Sequence, residues 1–538
     1  MDTMRHRIVV ALLCIFSITL AARGADAQTA DLGTISFPTS GADAAQPHFI
    51  RGVLLLHSFE YADAAEAFRE AQRLDPDFAM AYWGEAMTYN HSLWAQQDRE
   101  AALGALNRLA PTPAARRAKA PTEREGGYLA AVDILYGEGS KLERDLAYSE
   151  AMRRLRASYP EDNEAKAFYA LSILGTAHDG RDHVTYMRAA AVAEEVFADN
   201  PRHPGAVHYL IHSYDDPVHA PLGLRPARAY AKIAPAASHA QHMISHIFVA
   251  LGMWEEVVEA NQIAARVADE RRQKKGLPVD ARNYHALHWL AYGYLQQGRY
   301  DEARDLLFDM EKDAAESRSG RAVHYLASMR ADYLVNSRRW DGGAVEIDVR
   351  LGDLNVDVAA ASALASGWAL LGHGDRQEAE RVLSQLHQRL EATDDGDPAT
   401  YRPGVQAAHV LALELEALIQ LDDGEVDRAI ETLQRASEKE SAMPYEYGPP
   451  PVVKPSHELL GEVLLEQGRV EEARAAFEAA LARGPRRVDS LIGLARAAER
   501  LGDAKTAERT YATLVEIWQN ADPSLRDVKE ARRKASTG

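Results

Sequence analysis

Cysteine is almost missing from this chain of 538 residues, because the only one is Cys14. Cys14 lies within an N-terminal apolar stretch that we predict to be cleaved off. The remaining chain would then have no thiol for a disulfide or a thiolate ligand. Any metal that it binds would therefore be held by nitrogen and oxygen ligands.

Long apolar runs are missing beyond the N-terminus. Residues 8–20 form an apolar core of 13 residues after Arg5 and Arg7, and Ala25-Asp26-Ala27 fits a small-x-small cleavage site. This is the pattern of a secretory signal, and its core is shorter than the about 20 residues that a membrane-spanning helix needs. We predict a signal peptide at residues 1–27, a periplasmic or secreted protein, and no membrane span after signal removal.

Positive charge is scarce, since 61 lysines and arginines face 80 acidic residues and the formal net charge is −19. A polyanion requires a basic surface, so we expect no nucleic-acid partner.

Common catalytic motifs are also missing: the sequence has no glycine-rich phosphate loop, no nucleophilic serine in a recognisable elbow and no HExxH zinc motif. The nearest match to HExxH, His457-Glu458-Leu459-Leu460-Gly461, lacks the second histidine. The sequence therefore names no catalytic residue.

What the sequence does contain is a helical repeat. Alanine, leucine, glutamate and arginine fill most segments, and alternating β-branched runs are missing. One unit near the C-terminus shows the landmarks Leu460, Gly461, Leu464, Gly468, Val470, Ala473, Phe477, Ala480 and Pro485. Their order resembles the tetratricopeptide repeat, in which small residues let two helices approach closely and a proline ends the second.

The resemblance covers roughly nine to eleven helix pairs between residues 46 and 520. It implies an all-α, right-handed superhelical solenoid in which the first helix of each pair lines a concave groove. Seven segments are predicted to follow the signal peptide: a linker at 28–45, N-terminal units at 46–200, His-rich central units at 201–310, middle units at 311–440, a Pro-rich loop at 441–456, C-terminal units at 457–520 and a tail at 521–538.

Prolines interrupt the repeat at two further places. Leu103–Glu125 is rich in alanine, proline and arginine, which is typical of a longer connection. Asp215–Pro235 contains four prolines and lengthens the repeat that separates two histidine doublets.

Histidines recur at an interval of 34 residues, the length of one repeat: His208 and His212 are followed by His242 and His246. Glycine, alanine and proline landmarks set the register, which places His239, His242 and His246 at three groove positions of one unit. The neighbouring units place Gly205, His208, His212, His285, His288 and Tyr292 at the equivalent positions. Seven of these nine groove positions are therefore histidine.

This convergence predicts a transition-metal site, because imidazole is a ligand for zinc, copper and iron and a histidine pair at i and i+4 chelates from one helix. We predict His208, His212, His242 and His246 as ligands. Additional ligands or hydrogen-bond acceptors would come from Asp215, Asp216, His219, His239, His285 and His288. An open coordination position would allow a metal-dependent reaction.

The alternative is a metal-free groove that binds a peptide, a protein or a small molecule, with the protein acting as a scaffold. Candidate contacts for such a partner are Tyr292, Tyr445, Tyr447, Glu458 and Glu462. His57 and His91 each stand thirteenth in their units, and we interpret them as exposed polar residues near the inter-helix turn.

Three segments resemble a family of exported bacterial tetratricopeptide-repeat proteins with a histidine-rich centre. They are HPGAVHYLIHSYDDPVHAPLGLRPARAYAKIAP, SHAQHMISHIFVALGMWEEVVEAN and YEYGPPPVVKPSHELLGE. The resemblance supports the fold and the special character of these segments, and it implies no particular reaction.

Overall fold

The structure is a computed structural model that describes residues 30–349, 354–393 and 403–536. The predicted signal peptide at residues 1–27 and Cys14 lie outside the described residues. Within these ranges the chain forms two compact units. Unit 1 comprises residues 30–178, 182–214 and 225–243, and unit 2 comprises residues 179–181, 215–224 and the described part of 244–536.

Unit 1 is built from α-helices that follow one another with short connections. The helices are Gln46–His57, Tyr61–Leu74, Ala79–Met87, Arg99–Leu109, Pro113–Ala118, Glu123–Leu135, Lys141–Ser158, Asn163–Leu174, His183–Asp199 and Pro204–Tyr214. Helices Ala220–Ile233 and Ser238–Leu251 each cross the division between the units. A two-stranded antiparallel pairing joins Asn90–His91 to Gln96–Gln97.

Unit 2 is all-helical in its described part. Its α-helices are Trp254–Lys275, Tyr284–Gln296, Tyr300–Ser317, Gly320–Ser337, Gly343–Glu346, Val356–Gly372, Arg376–Thr393, Pro403–Asp422, Val426–Ala442, Ser456–Glu466, Val470–Arg483, Val488–Arg500, Ala504–Ile517 and Arg526–Ala535. Short 3-10 turns complete the described chain at Ala30–Leu32, Ser92–Trp94 and Val279–Ala281.

Helices form where apolar residues repeat at helical spacing. Helix Tyr61–Leu74 buries Ala64, Phe68 and Ala71, which lie on one stripe, and leaves its charged residues outside. Most helices pack against the next along the chain, and several also pack against the next but one. Short connections between contacting helices make neighbours antiparallel, so the predicted all-α solenoid of helix pairs is confirmed.

Glycine marks the turn inside most repeats. Gly252, Gly298 and Gly468 have φ values of +65°, +67° and +75°, and the following N–H donates back to a carbonyl five residues earlier at 2.8–2.9 Å. This is the Schellman termination, which needs a left-handed residue. Close helix packing explains other small residues: a Cβ on Gly461 would lie 2.8 Å from the Phe477 ring.

Unit 1 brings its first and one of its later helices together, because Gln46–His57 packs against Pro204–Tyr214. The two helices are about 150 residues apart in sequence. This contact places the turn after His57 beside the first histidine doublet, and it determines the environment of the candidate site.

Two predicted connections are helical. Leu103–Glu125 contains helix Pro113–Ala118, in which Pro113 occupies the first turn and the Thr112 hydroxyl accepts from the backbone N–H of Ala115 at 3.2 Å. A proline is tolerated there because its missing N–H would have no helical partner. Asp215–Pro235 contains helix Ala220–Ile233, so proline content alone was a poor guide.

The third proline-rich segment has no helix between Ala442 and Ser456, as its prolines predict. Across residues 30–349, 354–393 and 403–536, none of the helices combines the length and the apolar character needed to cross a membrane.

Candidate metal centre

His208 and His212 lie one turn apart on helix Pro204–Tyr214, in the interior of unit 1. Their exposed fractions are 0% and 2%, and their Nε2 atoms are 3.1 Å apart. Spacing of four residues on a helix places both imidazoles on the same face. The predicted convergence of this doublet is therefore present.

His239, at the start of helix Ser238–Leu251, completes a group of three. One ring nitrogen of each of His208, His212 and His239 lies within 4.8 Å of the other two. The ring centroids of His208 and His239 are 5.1 Å apart. His239 is only partly buried, so the group is reachable from one side.

A backbone carbonyl orients the central ligand. His208 Nδ1 lies 2.6 Å from the carbonyl oxygen of His57, to which it donates. The His57 carbonyl is among the last of its helix and has no acceptor role inside it. This bond leaves Nε2 of His208 facing Nε2 of His212. Metal-binding histidines are commonly fixed by this kind of hydrogen bond.

Phe59 forms the apolar wall of the three-histidine group. Its ring centroid lies 4.3, 5.5 and 6.0 Å from those of His208, His239 and His212. Phe59 has φ +54°, and the next N–H, of Glu60, donates to a carbonyl five residues earlier at 3.0 Å. Phe59 thus occupies the turn position that is glycine in other repeats, although a bulky residue is strained there.

A second buried cluster supports the turn. Glu164, at 0% exposure, accepts from His57 Nε2 at 2.7 Å and from His203 Nε2 at 3.0 Å. His57 Nδ1 accepts from the Tyr209 hydroxyl at 2.8 Å, and His203 Nδ1 accepts from the Ala206 N–H at 3.1 Å. All four imidazole nitrogens are satisfied within the protein, so this cluster has a structural role.

Glu164 carries a negative charge in this second cluster. Burial raises the pKa of its carboxyl, but the two imidazoles outweigh burial and hold the pKa at about 2. Desolvation lowers the pKa of His57, which favours its neutral ring.

The interpretation of His57 as an exposed residue is wrong, because its helix packs against Pro204–Tyr214. His91 is half-buried, and its ring stacks on Tyr61 at 4.1 Å.

The other two predicted ligands have different surroundings. His242 belongs to unit 1 and is fully buried, and its ring centroid is 6.0 Å from that of His239. His246 belongs to unit 2, where its Nδ1 lies 2.5 Å from a carboxylate oxygen of Asp215. Within unit 1, the structure thus joins His239, rather than His242, to the first doublet.

Unit 2 places the remaining predicted histidines beside carboxylates or tyrosines. His288 Nε2 is 2.7 Å from Asp332, and His219 Nδ1 is 2.8 Å from Asp216. His285 Nδ1 lies 3.3 Å from the hydroxyl of Tyr325. One ring nitrogen of His285 also lies within 4.8 Å of one of His246.

Asp216 is a structural anchor for the segment that follows the first doublet. It accepts from Arg181 at 2.9 Å and from the backbone N–H groups of Val218 and His219 at 2.9 and 3.0 Å. Burial raises the pKa of Asp216, but the His219 side chain, Arg181 and the backbone N–H of His219 outweigh burial and lower it overall. The carboxylate therefore holds the turn that carries His219.

The two glutamates that were predicted to contact a partner are paired with cations of unit 2. Glu458 is 0% exposed and accepts from Lys454 Nζ at 2.8 Å and from Arg487 Nε at 2.9 Å. Glu462 accepts from Lys454 at 2.8 Å and from Arg338 at 2.6 Å. The chain's own cations occupy these carboxylates, so a partner would not reach Glu458.

Two of the three predicted tyrosines belong to the Pro-rich loop, and the third, Tyr292, lines the same cavity of unit 2 as residues of that loop. Tyr292 is buried and accepts from Arg487 at 2.8 Å. The Tyr445 ring lies under the guanidinium of Arg483 at 4.8 Å. Tyr447 packs beside the His246 ring at a centroid distance of 5.8 Å.

Family models for the tetratricopeptide repeat match residues 459–522 and 284–307. The chain carries tetratricopeptide repeats. Both matched segments of this repeat protein belong to unit 2, and neither contains His208, His212 or His239. No curated protein matches the sequence.

Solved structures of other helical proteins align with most of this repeat protein. Yeast Tom70 is 13% identical, with 92% of this chain and 95% of that chain covered and a TM-score of 0.31. A human IFIT1 dimer with PPP-AAAA is also 13% identical, with coverages of 91% and 99% and a TM-score of 0.39.

Proposed function

We propose that unit 1 binds one transition-metal ion, zinc, copper or iron, through His208, His212 and His239. The observation that carries the proposal is the approach of one nitrogen from each ring to within 4.8 Å of the other two. Zinc–nitrogen bonds of about 2.0–2.1 Å in a tetrahedron separate ligand nitrogens by roughly 3.3 Å. The 3.1 Å between the Nε2 atoms of His208 and His212 is close to that separation.

Two further features support a metal rather than a packed polar core. His208 has its Nδ1 committed to the His57 carbonyl, which directs Nε2 toward the group. The Phe59 ring excludes water from one side and lowers the local polarity around the nitrogens.

Three nitrogen ligands would leave a coordination position for water or for a substrate. A zinc ion held in this way activates its bound water near neutral pH. The part-exposed side at His239 is where such a ligand would enter. The protein would then be a metal-dependent binding protein or enzyme with its centre in unit 1.

Export forms part of the same proposal. The basic, apolar and small-residue order of residues 1–27 supports a cleaved signal and a periplasmic or secreted protein. The histidine-rich segment similarly supports a relationship to exported bacterial repeat proteins. Fractionation of a host that expresses the full chain tests the location, and N-terminal sequencing of the product tests the cleavage.

Elemental analysis of the mature protein, purified without a histidine tag, tests the metal site. We expect about one metal ion per chain and a loss of nearly all of it in His208→Ala/His212→Ala. His288→Ala is the matched control, because His288 faces Asp332 in unit 2, and we expect it to retain the metal. A wild-type protein that stays metal-free after loading with zinc, copper and iron would end the proposal.

Partner binding without a metal is the second candidate. Tetratricopeptide repeats form surfaces suited to protein or peptide ligands, and unit 2 contains both matched segments. Capture of a peptide by wild type and by the double variant alike, before and after chelation, would favour this scaffold function over the metal centre.

A further inference from the structure

The Pro-rich loop covers a cavity that is separate from the candidate metal centre. This cavity lies within unit 2 and has a volume of about 110 Å³. Tyr445 and Glu446 of the loop are partly exposed, whereas Trp254 and Tyr292 are buried, with 4% and 3% exposure. The cavity therefore extends from the loop surface into the interior of unit 2.

Aromatic and apolar groups form much of the wall. Trp254, Tyr292, Tyr445 and Met443 line the cavity together with prolines of the loop. The Trp254 and Tyr292 rings meet edge to face with centroids 5.7 Å apart, and the Trp254 Nε1–H donates to the carbonyl of Arg486 at 2.9 Å. The rings are thus held in place before any ligand arrives.

Two arginines reach the same cavity, and both already have acceptors. Arg483 donates to two backbone carbonyls of the loop at 2.9 Å and lies over the Tyr445 ring. Arg487 donates to the Glu458 carboxylate at 2.9 and 3.1 Å. Both guanidinium groups thus have acceptors within the protein, and Arg487 also donates to the Tyr292 hydroxyl at 2.8 Å.

Four acidic residues line the cavity, and three of them have donors in the protein. The donors are His246 for Asp215, Arg181 for Asp216 and the backbone N–H of Ser456 for Glu440, at 2.5, 2.9 and 2.7 Å. Glu446 is the fourth acidic residue.

Glu446 differs from the other three acidic residues. In the part of the chain that the structure describes, none of the residues donates a hydrogen bond to its carboxyl group. Burial raises the pKa of Glu446 to about 7, an effect that nearby Arg483 and Arg181 only partly offset. A partly buried carboxylate that has no donor in the protein is a site at which a bound cation would be stabilised.

We propose that this cavity binds a small organic cation, an alkylated ammonium group, between the Glu446 carboxylate and the rings of Tyr445, Tyr292 and Trp254. Aromatic faces and a carboxylate are the groups that proteins use to hold such cations. A cavity of 150 Å³ holds the six carbon atoms of benzene, so this one accommodates about four or five heavy atoms. Tetramethylammonium has that size.

Calorimetric titration of the full mature chain tests the charge requirement. Tetramethylammonium is the cationic probe, and tert-butanol is a neutral probe of nearly the same shape. We expect saturable binding of the cation and binding of the neutral probe at least about tenfold weaker, because only the cation meets the Glu446 charge. Equal affinities, or no saturable heat with tetramethylammonium, would overturn the proposal.

Variants test whether Glu446 contributes to binding of the cation. Glu446→Gln should weaken tetramethylammonium binding by about tenfold or more. Glu438→Gln, an exposed glutamate on the preceding helix Val426–Ala442, is the matched control and should bind as wild type does. Unfolding midpoints confirm that both variants fold, and an unchanged affinity in Glu446→Gln would contradict the assignment. Metal content is measured in parallel, so a failure here is distinguishable from a failure of the metal centre.

Discussion

Histidines in the two units have different neighbours. In unit 1, ring nitrogens of His208, His212 and His239 converge within 4.8 Å of one another. In unit 2, His246 and His288 each face a carboxylate, at 2.5 and 2.7 Å. A carboxylate occupies one nitrogen of the imidazole and fixes its tautomer, whereas the convergence of several imidazoles is the arrangement that a metal ion requires.

Unit 1 contains both arrangements, which makes the comparison testable within one part of the protein. Glu164 holds His57 and His203, and the carbonyl of the same His57 orients His208. Removing a carboxylate should affect stability, and removing a converging histidine should affect metal binding. The predictions below separate these two readouts.

The largest effect is expected for Glu164→Gln. Glutamine lacks the negative charge of the carboxylate that accepts from both imidazoles. Removing one partner from a buried charged cluster lowers the free energy of unfolding by about 3 kcal/mol or more. Urea unfolding at neutral pH measures the free energy of unfolding. Metal content of the folded variant should remain near that of wild type. Loss of the metal with unchanged stability would contradict the structural role of Glu164.

A metal ion should increase the stability of unit 1 by a comparable amount. At free zinc one hundredfold above its dissociation constant, binding contributes about 2.7 kcal/mol. We expect wild type and His288→Ala to show this gain in the unfolding midpoint, and His212→Ala to lack it. An equal gain in all three proteins would place the metal outside the three-histidine group.

The contribution of Glu164 should depend on pH. Its folded-state pKa of about 2 lies below the ordinary value of 4.5, so its stabilisation is present above about pH 4.5 and disappears as the pH falls toward 2. The difference in unfolding free energy between wild type and Glu164→Gln should therefore shrink over that range. Urea titrations at pH 6, 4 and 2.5 would show it, and a constant difference would argue against an ionised Glu164.

The smallest effect on stability is expected at Phe59, which forms the apolar wall of the three-histidine group. Phe59→Gly and Phe59→Ala both remove the ring, but only glycine adopts φ +54° without strain. We expect the glycine variant to be more stable than the alanine variant by about 1 kcal/mol. Urea unfolding of the two variants measures this difference. An alanine variant at least as stable as the glycine variant would mean that the turn is not strained.

The sequence predicted the helix pairs and their turns well, because glycine landmarks and apolar spacing are local signals. Gly252, Gly298 and Gly468 adopt the left-handed turn that their place in the repeat requires. The i, i+4 spacing also predicted that His208 and His212 share a face. Local periodicity was sufficient for each of these features.

The rest of the site depends on contacts between distant segments. His57 meets His208 only because helix Gln46–His57 packs against Pro204–Tyr214, and no local pattern reports that contact. His239 approaches the first doublet for the same kind of reason. One signal was available, since Phe59 stands at a turn position where most other repeats have glycine, and a bulky residue in such a strained position is a candidate for a special role.

Lys454 has a consequence for the response of unit 2 to its surroundings. Its ammonium group is fully buried and lies 2.8, 2.8 and 3.3 Å from the carboxylates of Glu458, Glu462 and Asp489. The Lys454 ammonium group is thus the counter-ion of these carboxylates. Because it is covalently attached, its presence beside them does not depend on the ions in solution. These repeats should consequently keep their structure in chelator and across changes in dissolved divalent ions, whereas the metal site proposed for unit 1 should respond to both.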